Sequence, residues 1–436
     1  MTETAPETAL TDAVSIGNVD LPNRLYRAPL LECAGNGPDA VKTLIDELEP
    51  TAASGVGLIF QGASIVTESG GCAAPNMTRF HDPEFVTKLS RLTERIHDHG
   101  SKIFVQLAEG GLRSMSMWHA EYRDRHPEAV QKAVSRPPWQ LRLADRAGII
   151  NLQTEVLSTP EVRELAEAFG RAAGYAVDAG YDGVHLSGAN MGIIQQFLSP
   201  YYNGRDDEFS DGVQFLLAVR EAVRKHAGDV PLVTKVPVET ASPPFVRRHL
   251  TREDSLGIAR RLATAGYDAL VPVDVSVYWD MSVVRGAYPQ RAWKASELQT
   301  EYATVFGGRW RARAVSFLNR LESMWYDRDP GWNADLCRAV REAVDIPVLC
   351  EGGIRKRSHC DRLLGDSCDL VGMARPFYAE PRLGARLLDG KKRALCESCN
   401  NCAIPQATGE PGRCRTPSVV RERARLEKEG VYDRDE

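Results

Sequence analysis

Four cysteines near the C-terminus, Cys396, Cys399, Cys402 and Cys414, follow the pattern C-x2-C-x2-C-x11-C. Four thiolates at this spacing suit a [4Fe–4S] cluster. Zinc is the rival, because four-cysteine sets also bind that ion. A zinc ribbon, however, usually separates two C-x2-C pairs, and here three cysteines crowd together. The other six, Cys33, Cys72, Cys337, Cys350, Cys360 and Cys368, are scattered and read as small buried hydrophobes.

A second set of residues suits an anion. "IPVLCEGGIR" places Gly352 and Gly353 where an apolar run ends, and "DLVGMARPFYAEP" does the same with Gly372 and adds Arg375. Glycines let backbone N–H groups approach a phosphate, a helix start favours its charge, and an arginine adds a bidentate contact. A surface ion pair is the other reading of Arg375. Lys235 lies inside the apolar run "PLVTKVPVE", where an unpaired cation is costly, so it is expected to face an anionic ligand. Gln106, in "FVQLAEGG", offers a donor and an acceptor to a pyrimidine-like edge, or is a satisfied core amide. Ser187 and Asn190, in "HLSGANMG", are placed to hydrogen-bond a substrate carbonyl, and His185 reads as a structural group.

Elements that could position these groups alternate along the chain. Apolar runs at 25–28, 57–61, 103–107, 183–187, 232–236, 269–273, 348–350 and 370–372 read as strands. Between them lie segments of helical period, such as 162–179 and 212–226. Eight such units predict an α/β fold, a (β/α)8 TIM barrel, with the anion-binding turns after strands seven and eight. "DAGYDGVHL" and "TAGYDALVPV" echo one another as helix end, glycine stop and strand. Two stretches exceed a minimal barrel, 112–158 and the aromatic-rich 277–331. The latter reads as a lid-like insertion after strand six, or as a peripheral helical subdomain or oligomer contact. The expected organisation is a flexible N-terminus at 1–13, a barrel at 14–390 and a cysteine-rich iron–sulfur tail at 391–436.

Composition is that of an ordinary globular chain. Of 436 residues 43% are hydrophobic and 26% charged, with net charge −5. No basic stripe points to nucleic acid. No apolar run approaches the ~20 residues of a membrane span. The polar, acidic start lacks the features of a signal peptide, so a cytoplasmic protein is expected.

Together, "HLSGANMGIIQQFLSPYYNGRDDEF", "CEGGIR", "LVGMARPFYAEP" and the cysteine tail resemble the old yellow enzyme family (NADH:flavin oxidoreductases) over roughly residues 14–417, apart from the 277–331 insertion. The resemblance is to its iron–sulfur branch, which includes 2,4-dienoyl-CoA reductase and trimethylamine dehydrogenase. It implies FMN in the barrel: Ala28, Pro29 and Ala63 against the ring, Gln106 at the pyrimidine edge, and Lys235 where the family usually has arginine. Gly352, Gly353, Gly372 and Arg375 would hold the phosphate. Cys396, Cys399, Cys402 and Cys414 would ligate the cluster.

Three departures qualify that implication. The family's substrate-binding pair is His with His or Asn; here it is Ser187 and Asn190. Its tyrosine acid, two residues further on, is replaced by Gly192. Tyr278 at the mouth of strand six is the expected proton donor, with Tyr288 and Tyr302 in reserve. No GxGxxG turn supplies a second dinucleotide site. Electrons are therefore expected from NAD(P)H bound directly over FMN, or through the cluster to a carrier. The expected function is hydride transfer from NAD(P)H to an activated alkene or a related small organic substrate. The alternative is an amine or alcohol dehydrogenase or demethylase passing electrons through the cluster to a separate acceptor protein. A third reading is a non-catalytic electron-transfer subunit. A homo-oligomer is left open.

Overall fold

In the computed structural model, which describes residues 9–68 and 70–433, eight parallel strands form one sheet. They are β1 (Leu25–Arg27), β2 (Leu58–Ile65), β3 (Lys102–Ala108), β4 (Gly183–Leu186), β5 (Leu232–Val238), β6 (Ala269–Asp274), β7 (Leu349–Cys350) and β8 (Leu370–Met373). Their order around the sheet is β6-β5-β4-β3-β2-β1-β8-β7. A parallel bridge between Leu270 and Val348 joins the two ends, so the ring is closed. This is the expected TIM barrel, with every expected strand in place. β2 runs further than its apolar run because a register irregularity between Gln61 and Ser64 carries pairing on to Ile65.

Strands buried on both faces read as nearly continuous apolar runs, and β5 is buried at all seven positions. Alternation then assigns the faces. Tyr26, Leu58, Phe60, Phe104, Val233, Val271, Leu349 and Leu370 fill the barrel interior. The opposite faces join the larger cluster between barrel and helices. Gln106 shares the parity of Phe104, and Lys235 that of Val233, so both side chains project inward.

The long helices start where their caps dictate. Thr159–Asp178 begins at a Ser158–Glu161 capping box, and Val213–Ala227 follows Gly212. Gly180 and Gly266, the paired stops of the sequence echo, both take φ +86°. Residues 1–8 of the expected flexible terminus lie outside the described residues. Leu10 is fully buried, and its carbonyl accepts from the Arg24 N–H at 2.9 Å. Packing therefore extends back to the first described residues.

Both insertions rise from the C-terminal ends of strands and meet above the barrel. Trp118 of the first lies 5.2 Å from Trp279 and 6.2 Å from Phe306 of the second. The second insertion contains the helices Gln290–Lys294, Gln299–Val305 and Arg309–Trp325. It also grips the cysteine tail: Ala287 N donates to Ser398 O at 2.8 Å, and Asn400 Nδ2 to Val284 O at 3.0 Å. The tail ends in a helix, Pro417–Lys428, anchored by Val419 and Leu426. No helix among the described residues is long and apolar enough to cross a membrane.

Candidate active site

A cavity opens at the C-terminal ends of β1 and β5–β8. Its wall includes Ala28, Pro29, Lys235, Gly352, Gly353, Gly372 and Arg375, and adds Glu351, Arg355 and Trp332. Seven of the nine expected cofactor residues are thus brought together. Ala63 and Gln106 are not on this wall. Ala63 packs beside Ile65, Met77 and Met115. The Gln106 amide lies 3.0 Å from His185 Nδ1. Burial, with Lys235 second, holds that imidazole well below its ordinary range, so it is neutral.

The glycine turn after β7 is built for an anion. Gly353 has φ +67°, and a Cβ there would meet the Trp332 ring at 2.5 Å. The N–H groups of Gly352 and Gly353 find no acceptor among the described residues. Arg355 Nη1 donates to Ser398 Oγ at 2.6 Å beside them. Arg375 is buried, bonded to Asn400 and, at 2.8 Å, to the Arg285 carbonyl. Unpaired amide donors and a buried guanidinium without a carboxylate are the donor set a phosphate needs. Further in, Lys235 forms an ion pair with Glu351, whose second oxygen has no partner. Lys235 is thus neutralised by the chain itself, a partner its sequence position did not announce. Glu351 and Arg355 stood on either side of the glycine pair in "CEGGIR", where they could have been read. Trp332 carried no such signal.

The four tail cysteines line one small cavity. Ser398 and Asn400, between them in sequence, adopt φ +54° and +57°, curling the chain around the space. Burial pushes the Cys402 thiol up to about 12, against the pull of Arg375, with the neighbouring thiols adding to it. Among the described residues no three His, Cys, Asp or Glu side chains converge on a single-ion site. Arg375 and Ser398 line both this cavity and the larger one.

The expected substrate residues lie on the other side of the mouth. Ser187 follows β4, its N–H bonded to Leu107 O at 3.0 Å, and Asn190 stands in the left-handed region at φ +62°. Tyr278 shares a 2.8 Å hydrogen bond with Tyr201 in a patch with Met191, Tyr202 and Val277. It is not part of the large cavity's wall. Tyr288 is bonded to Ser316 and Tyr302 to the Ala292 carbonyl, both inside the insertion.

Residues 10–247 match the NADH:flavin oxidoreductase / NADH oxidase family. The chain belongs to that family. Cinnamate reductase of Clostridium sporogenes is 25% identical over 89% of this chain and 54% of its own length. The 4,4'-dithiodibutanoate disulfide reductase of Rhodococcus erythropolis is 25% identical over 97% of this chain and 99% of its own. The chain spans about half the length of the first curated relatives it matches. Histamine dehydrogenase from Rhizobium sp. 4-9 superposes with a TM-score of 0.69 at 19% identity, over 95% of this chain and 53% of its own, which speaks to the fold.

Proposed function

We propose that this family member is an FMN-dependent oxidoreductase that takes electrons from NAD(P)H and delivers them to a small organic substrate such as an activated alkene. The observation that carries the reading is the cavity joining the free amides of Gly352 and Gly353 to Arg355 and Arg375. These groups would hold the phosphate of FMN, with Ala28 and Pro29 against its ring. When bound, FMN supplies reversible hydride transfer. The chain sets the surroundings. Lys235, paired with Glu351, lines the cavity with little net charge. Ser187 and Asn190 orient the substrate carbonyl. Tyr278 holds the proton the substrate needs; burial raises its pKa, so the phenol stays loaded at neutral pH.

Cys396, Cys399, Cys402 and Cys414 would hold a [4Fe–4S] cluster, which supplies one-electron transfer. The wall shared by the two cavities through Arg375 and Ser398 supports a second reading. In it the chain oxidises an amine or alcohol and passes electrons through the cluster to a separate carrier protein.

Anaerobic mixing of reconstituted protein with NADH and with NADPH separates the two. Rapid flavin bleaching by either nucleotide is expected. Flavin that resists both nucleotides but bleaches with an amine or alcohol would contradict the first reading and favour the second.

A further inference from the structure

Among the described residues four arginines are buried: Arg27, Arg113, Arg285 and Arg375. Two are neutralised in place, Arg27 by Glu32 at 2.8 Å and Glu47 at 3.2 Å, and Arg285 by Asp274 at 2.9 Å. Arg375 lacks a carboxylate and lines the cavity assigned above to a phosphate. Arg113 also lacks one. Its Nη1 donates to the Asn190 carbonyl at 2.8 Å, its Nε has no partner, and its face lies 4.8 Å from the Trp279 ring. The indole N–H of Trp118, against Trp279, is a second buried donor without an acceptor. A buried cation left uncompensated is costly, and an anion brought to it would relieve that cost. Its surroundings are apolar: Leu112, Met117, Met191 and Tyr278 pack together beside it. Asn190 and Met191, which carry its carbonyl contact, are both left-handed, at φ +62° and +59°.

We propose that Arg113 anchors a substrate carboxylate, so that the site selects organic acids with an apolar body. This rests on the loops after β3 and β4 being the substrate end of the flavin site. The test is calorimetric titration of the FMN-reconstituted full chain with cinnamate and with its neutral analogue cinnamamide. Wild type binds cinnamate at least tenfold tighter, and Arg113→Gln abolishes the difference while its melting temperature does not fall, because the variant buries no unpaired charge. Arg113→Lys keeps part of the preference. Equal affinity for acid and amide in wild type, no binding of either, or a preference that survives in Arg113→Gln overturns the anchor. The flavin content of the same samples is a separate readout. Discrimination without flavin would sink the cofactor assignment and leave the anchor standing.

A second inference comes from the helix Arg309–Trp325, whose inward face carries Ala312, Val315, Ser316, Asn319 and Ser323. Its outward face is apolar. Trp310 (79% exposed), Phe317, Leu321 and Met324 (74%) follow the alternating spacing of a helix-packing seam through Ala314, flanked by Leu318 and Trp325. These exposed side chains present roughly 800 Å², the share one partner contributes to a standard stable interface. We infer that a second copy of this chain covers the seam, antiparallel about a two-fold axis between Phe317 and Leu318. Light scattering of the reconstituted protein should give twice the 48.1 kDa chain mass. Phe317→Asp with Leu321→Asp should return it to one chain mass with flavin content unchanged. A wild-type monomer at micromolar concentration, or a dimer indifferent to both substitutions, contradicts the pairing.

Discussion

The two sides of the barrel mouth are made of different material. The side proposed for the cofactor, after β7 and β8, includes three glycines, with Glu351, Arg355 and Arg375 as its charges. The side proposed for the substrate, after β3, β4 and β6, is made of side chains drawn from both insertions: Arg113, Trp118, Tyr278 and Trp279. Backbone donors serve the same phosphate whatever the substrate, so that side can stay fixed while side chains opposite change with the chemistry. The loss of the usual histidine and tyrosine at Ser187 and Gly192 falls entirely on the substrate side.

Damage to the two sides should therefore separate. Gly353→Val would have the largest effect. A β-branched residue at φ +67°, with its Cβ 2.5 Å from the Trp332 ring, cannot keep the turn. Reconstituted protein should retain no FMN by absorbance, with circular dichroism and tail iron near wild type. Cys399→Ala should strip the tail instead. Iron should fall from the ~4 per chain of a cubane cluster to near zero while FMN stays bound. Zinc in anaerobically prepared wild type would overturn the cluster.

Tyr278→Phe acts on the substrate side alone. Flavin reduction by nicotinamide should be unchanged, and reoxidation by substrate should slow by roughly 10²-fold. The phenol donates only while protonated, and burial raises its pKa, with the Tyr201 hydrogen bond opposing. In wild type the oxidative half-reaction should thus be flat through neutral pH and fall only above the ordinary tyrosine value of ~10. An unaltered half-reaction in the variant would shift the role to Tyr201 or a bound water. Arg375→Ala should be the mildest, weakening FMN about tenfold to a hundredfold, the effect of one charge-assisted hydrogen bond worth ~1.5–3 kcal/mol.

The same division explains what could be read from sequence. All eight strands were legible because a strand buried on both faces is a short apolar run with a clear end. The glycine turns were legible because a phosphate loop is local in sequence. The tail cysteines were legible by spacing, and the structure gathers them around one cavity. Arg113 was not, because what singles it out is the absence of an acid among its spatial neighbours. The Lys235–Glu351 pair joins residues 116 positions apart. Tyr278 was chosen as the first phenol beyond β6, yet its neighbour is Tyr201, 77 residues earlier, and the pair lies off the cofactor cavity.

The cofactor assignment is tested most directly by denaturing the reconstituted protein and identifying the flavin it releases. One FMN per chain is expected, because the glycine turns and Arg375 make a single phosphate site. Release of FAD, or of no flavin after reconstitution, would contradict the assignment of this cavity to FMN.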